Sequence, residues 1–145
     1  MKKYESETII AASPAQVWDA LVNPTKVKQY MYGSEIVSDW QVGKPIEWYI
    51  PSDKGPQLVV KGTITDIEAE RTLANTLLPI TPTVPDEPKN YIQVRYTLVP
   101  VNEGTRLQIV QDGFEEIADE EKRYQDTLTG WAQVLPNLKA VAEAG

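Results

Sequence analysis

Residues 116–145, EIADEEKRYQDTLTGWAQVLPNLKAVAEAG, decide the fold. Tyr124, Leu128, Trp131, Leu135, Leu138 and Ala142 recur at spacings of four, three, four, three and four. That places all six on one face of a helix. Within the helix, Gly130 and Trp131 set the smallest side chain beside the largest. A glycine in a helix interior costs roughly 1 kcal/mol against alanine, so its missing side chain serves either a close-packed neighbour or an open space. Pro136 lies inside the pattern, where it removes an N–H and is expected to kink the helix or end it early.

A long apolar stripe needs a cover, and the preceding sequence supplies one. Residues 3–12 read as a first strand. Ser13, Pro14 and Gln16 then form a helix start, with Ser-x-x-Gln as a capping box and proline at the first helical position. Val17, Trp18 and Leu21 make the buried face of that short helix, which stops at Asn23–Pro24. Thr25 is placed to cap a second short helix carrying Val27, Tyr30 and Met31, closed by Gly33. Strand-like runs follow at 35–40, 45–50, 58–67, 72–78, 91–99 and 105–112. Alternation turns Ile92, Val94, Tyr96 and Leu98 one way, and puts Leu107 and Ile109 on a face with Gln111. Asn102-Glu103-Gly104 supplies the glycine of a short hairpin loop. Consecutive strands on short turns with one wet face make an antiparallel sheet. The expectation is α+β: about seven strands wrapped around a long C-terminal helix, with two short helices after the first strand, in a single domain, 1–145.

Composition bounds the function. With 14 Lys plus Arg against 21 Asp plus Glu, the net charge is −7. That charge repels phosphate backbones and anionic membranes, so neither nucleic acid nor a membrane is expected as partner. No run is apolar enough for a membrane span, and no basic-then-apolar signal pattern is present, so the expected location is cytoplasmic. The chain has no cysteine and no histidine. Thiolate nucleophiles, disulfides, sulfur-ligated zinc and the commonest general base and metal ligand are all excluded. No catalytic set, cofactor or metal is expected.

The aromatic residues are weighted to Trp and Tyr, with one Phe. Trp18, Tyr30, Trp48, Tyr96, Tyr124 and Trp131 fall on inward faces. They are either plain core or the wall of a partly open apolar cavity. Asn75 and Gln111 point inward by alternation and need partners or a ligand there. Trp18, Tyr30, Trp48, Asn75, Tyr96, Gln111, Tyr124, Leu128, Trp131 and Leu135 are therefore the candidate ligand-binding residues. Pro79, Pro82, Pro85 and Pro88 recur every third residue, which reads as a stiff exposed loop bordering the sheet rather than as a peptide ligand. Glu115, Glu116, Asp119, Glu120 and Glu121 complement the dipole at the start of the long helix and form no cation loop. Lys122 with Asp126, and Arg123, read as surface pairs. Glu47, Asp66 and Asp112 are carboxylates without a nucleophile to serve.

The run Ile10-Ala11-Ala12-Ser13-Pro14-Ala15-Gln16-Val17-Trp18-Asp19-Ala20-Leu21 resembles the opening of the SRPBCC superfamily, in the branch similar to activator of heat-shock-protein-90 ATPase. Gly43, Gly62-x-Ile64-x-x-Ile67, Gly104-Thr105-Arg106-Leu107, Gly113-Phe114, Gly130-Trp131 and Val134-Leu135-x-x-Leu138-Lys139 fit the rest of that pattern. The resemblance implies a helix-grip, START-like fold with an apolar cavity between sheet and C-terminal helix. It also implies three kinds of function: binding of a small hydrophobic molecule, polyketide-cyclase-like catalysis, or a chaperone-ATPase-activating interaction. Many relatives carry paired Trp where this chain has Tyr30-Met31-Tyr32-Gly33, and a His where it has Gln111-Asp112. That departure favours non-catalytic binding; a homodimer stays open. Trp131→Ala is expected to cost roughly 3–5 kcal/mol in chemical denaturation if the ring is packed in the core. A loss below about 1 kcal/mol, typical of surface substitutions, would put the ring outside it.

Overall fold

The computed structural model describes residues 2–145. Its strands are β1 (Tyr4–Ile10), β2 (Glu35–Ser38), β3 (Pro45–Ile50), β4 (Gln57–Glu68), β5 (Thr72–Pro79), β6 (Ile92–Val101) and β7 (Gly104–Asp112). Each strand pairs antiparallel with its neighbours in one sheet, ordered β1-β7-β6-β5-β4-β3-β2. Helices α1 (Pro14–Val22) and α2 (Pro24–Tyr30) follow β1, and α3 (Glu120–Ala144) ends the chain. This is the α+β helix-grip arrangement, with strand limits within two residues of those read from the sequence.

The local chemistry explains the elements. Ser13 Oγ accepts from the Gln16 N–H at 3.2 Å, and Gln16 Oε1 accepts from the Ser13 N–H at 2.9 Å, completing the capping box. Asn23, not Thr25, caps α2: its side chain accepts from the Thr25 N–H at 3.1 Å. Pro24 fits the first helical position because its missing N–H would be unbonded there anyway. One residue therefore ends α1 and starts α2.

The inner face of the sheet packs on α3 and the two short helices. Ile10, Val17, Leu107, Ile109, Leu138 and Ala142 are all fully buried in that core. Two irregularities curve the sheet around the helix. Trp48 pairs with Val60 but Tyr49 with Leu58, so Val59 is an extra residue in β4; Thr65 is a second, between Ile64–Asn75 and Asp66–Ala74. Such bulges bend a strand and re-aim its side chains. At Gly62 the sheet closes tightly, since a Cβ there would stand 1.7 Å from the Thr76 carbonyl oxygen.

Three expectations need correction. Of the two outcomes expected at Pro136, the early end does not occur: α3 runs through it to Ala144. The missing hydrogen bond is offset by tertiary packing, since Leu138 and Ala142 beyond it are wholly buried. The buried face of α3 is rotated from the one expected: Arg123, Trp131, Val134, Leu138 and Ala142 are buried, while Tyr124, Leu128 and Leu135 are half-buried. Arg123 is no surface residue. Its guanidinium donates to the carbonyl oxygens of Asn90 (2.5 Å) and Leu77 (3.5 Å), and its pKa is lowered by burial. The proline segment is largely exposed but anchored, with Val84 and Asn90 buried and Asn90 Oδ1 accepting from the Ala118 N–H at 2.9 Å.

A side-chain bond couples the middle of α3 to the sheet: Trp131 Nε1 donates to Gln111 Oε1 at 2.7 Å, in the interior. Gln111→Leu should cost about 1–3 kcal/mol, because it leaves a buried indole N–H without its acceptor. In a double-mutant cycle with Trp131→Phe, measured by urea denaturation, the coupling should exceed about 0.5 kcal/mol. Additive effects would show that the bond contributes nothing.

Candidate functional site

A cavity of about 380 Å³ lies between the sheet and α3. Its floor comes from alternate, inward positions of the strands: Trp48 and Ile50 on β3, Val94 and Tyr96 on β6, Gln111 on β7. From β4 both Val59 and Val60 reach it, which strict alternation forbids and the bulge allows. Thr127, Gly130, Trp131 and Val134 form the roof, one stripe of α3. Met31, Tyr32 and Ser34, after α2, complete the rim. Its size and its apolar wall with a few polar groups match those of small-molecule sites.

Gly130 has a clear geometric role. A Cβ on it would meet nothing within 4 Å, so no neighbouring backbone requires the glycine. The absent side chain leaves room in the cavity. Beside it, Trp131 is held on three sides. Its ring stacks on Tyr4 (centroids 5.7 Å apart, planes at 8°), meets Tyr96 edge-on at 6.1 Å, and bonds to Gln111. At the rim, the Tyr32 hydroxyl donates to Gln133 Oε1 at 3.0 Å, linking the turn after α2 to α3. Tyr32 is 67% exposed and sits in the left-handed region at φ +55°.

The site offers little for proton transfer. Burial, then the neighbouring Tyr4, pushes the Tyr96 phenol well above the usual tyrosine range, so it stays protonated at neutral pH. Asp126 is the one charged lining residue, and it is exposed and bound to Lys122 at 2.7 Å. Glu47, Asp66 and Asp112 lie outside the lining; Asp66 pairs with Arg95 at 2.9 Å on the outer face. Among the described residues no cluster of acidic side chains is arranged to hold a metal ion.

Of the residues singled out from sequence, Trp48, Tyr96, Gln111 and Trp131 line the cavity. The other six stand elsewhere. Tyr30 is buried and donates to the Ala20 carbonyl at 2.7 Å, tying α2 to α1. Trp18 packs half-buried on the core. Asn75 is buried in β5, with its amide donating to the Thr76 carbonyl at 3.0 Å. Tyr124 meets Phe114 edge-on at 5.2 Å in a separate small cluster. Leu128 and Leu135 line a second depression beside Tyr4 and Thr8, on the other side of Trp131. Val134, Val59 and the Met31–Ser34 rim were not among the candidates. Val134 follows Trp131 by a helical spacing of three and could have been read in place of Leu135.

Comparison with known proteins agrees with this architecture. The family described as Activator of Hsp90 ATPase homolog 1-like protein matches residues 11–143. A Cytophaga hutchinsonii protein solved in solution is 31% identical, with a TM-score of 0.78, covering 99% of this chain and 95% of its own. A Mesorhizobium loti crystal structure is 23% identical at TM-score 0.77, covering 99% and 98%. An HSP90 activator from Plasmodium falciparum shares the fold at TM-score 0.72 and 14% identity, covering 97% and 96%. No curated protein matches the sequence. No helix among the described residues is long and apolar enough to cross a membrane. The chain belongs to the family of Activator of Hsp90 ATPase homolog 1-like proteins.

Proposed function

We propose that the protein binds a small, largely apolar molecule in the cavity under α3 and does not transform it. The observation that carries this reading is Gly130, a helix-interior glycine whose missing side chain opens onto a cavity walled by Trp48, Tyr96, Trp131 and aliphatic residues. The helix gives up roughly 1 kcal/mol of propensity at that position, and no backbone contact accounts for it. Binding is favoured over cyclase-like catalysis because the lining offers no ready general base: its one carboxylate is exposed and paired, and the interior phenol holds its proton. The acidic surface disfavours nucleic acid and anionic membrane. A cytoplasmic setting suits a chain without disulfides. A chaperone-activating role draws support from the family's description.

Tryptophan fluorescence during titration with a panel of uncharged apolar molecules tests the proposal, since Trp48 and Trp131 stand in the wall. At least one compound should give a saturable change and raise the thermal midpoint. Gly130→Leu should weaken that binding by about tenfold or more, since even an apolar pocket loses roughly 10–200-fold per misfit methylene. Its own thermal midpoint should equal or exceed that of the parent. No fluorescence change and no thermal shift across the panel would sink the reading.

A further inference from the structure

We infer that the occupant is a neutral, mostly apolar molecule carrying a carbonyl-type oxygen, which accepts hydrogen bonds from the Gln111 amide and the Tyr96 hydroxyl; this rests on the binding function proposed above. The argument begins with the Trp131–Gln111 bond. An indole N–H only donates, so its partner must be the oxygen of the Gln111 amide, and the NH₂ group is thereby the free end. Gln111 is 6% exposed and lines the cavity, yet among the described residues its NH₂ has no acceptor. The Tyr96 hydroxyl, on the same wall, has none either. Neither atom is sealed away: the one buried, unpartnered side-chain polar atom among the described residues is Ser6 Oγ. Both residues line the cavity, and neither donor atom is fully enclosed.

Strand register brings them together. Gln111 is paired with Val94, and Tyr96 is two residues along the same face of β6. Diagonal neighbours of that kind lie about 7–8 Å apart at the backbone, a span that two side chains reaching toward one oxygen can close. The hydroxyl protons of Ser34 and Thr127 are already given to the Met31 and Arg123 carbonyls, so these residues add no free donor. The wall thus sets the Gln111 and Tyr96 donors side by side among apolar and aromatic surfaces, with the Trp48 indole N–H a third donor that has no acceptor among the described residues. An anion is disfavoured, because no Lys or Arg lines the cavity and its one charged residue is Asp126.

Three probes of similar size separate the possibilities: benzophenone, diphenylmethane and diphenylacetate. Each is titrated into the ¹⁵N-labelled full chain and followed by amide NMR, with affinities from calorimetry. Benzophenone should bind about three- to tenfold more tightly than diphenylmethane, the worth of one neutral hydrogen bond. It alone should shift the Gln111 side-chain NH₂ pair. Tyr96→Phe removes an oxygen that holds nothing in the protein, so the variant should fold. It should weaken benzophenone by a similar factor and leave diphenylmethane unchanged. Equal binding of ketone and hydrocarbon, with no effect of Tyr96→Phe, would overturn the inference and leave the apolar cavity standing. Tighter binding of diphenylacetate would overturn its neutrality. Binding by none of the three would overturn the inference, while the cavity function stands or falls on the wider apolar panel.

Discussion

The seating of Trp131 on the sheet is the constraint on which the rest depends. Its ring stacks on Tyr4 of β1, meets Tyr96 of β6 edge-on and donates a hydrogen bond to Gln111 of β7. Three strands thus fix the height and rotation of α3 at one point along its length. Successive helical residues are turned by about 100°, so the position next to Trp131 faces a different part of the sheet. There stands Gly130, over the cavity. A large residue holds the helix away from the sheet, and its small neighbour leaves the gap unfilled. The cavity is the volume between them.

Its walls also require curvature, since a flat sheet would leave a slot open at both ends. The extra residues Val59 and Thr65 bend β4, and the close approach of Gly62 to Thr76 lets β4 and β5 meet without a side chain between them. At one end α1 and α2 press Val17, Ala20 and Val27 into the core, along with Leu138 and Ala142 of α3. The other end is held by the buried guanidinium of Arg123 on two backbone carbonyls. α3 is therefore anchored at both ends and spaced in the middle. That explains how it tolerates both a proline and a glycine in its interior.

The sequence was informative where one local rule governed the outcome. The capping box at Ser13, the alternation in β6 and β7, and the inward amides of Asn75 and Gln111 all follow from short-range chemistry. Errors arose where tertiary geometry rotated or displaced a face. Leu135 is apolar and correctly spaced, yet Val134 takes the interior place because Trp131 sets the helix phase. Arg123 read as surface because a buried arginine needs acceptors that only folding supplies, here carbonyls 33 and 46 residues away in sequence. The inward residues were largely legible, but which of them border empty space was not. Core and cavity wall draw on the same residue types, and only the positions of Val59, Gly130 and the rim beyond α2 distinguish them.

Gly130 and Trp131 also set stability against function in a direct way. An alanine at 130 would meet no atom within 4 Å and would recover roughly 1 kcal/mol of helix propensity. Each further carbon would add apolar contact while removing ligand volume. A side chain there is thus favourable to the folded chain, and the proposed ligand is what would set a function against that gain. The same reasoning applies to the Gln111 and Tyr96 donors. A leucine and a phenylalanine in place of Gln111 and Tyr96 would suit an inert core, apart from the indole N–H that Gln111 serves. A hydroxyl without a protein partner in an apolar wall is what the proposed acceptor would satisfy.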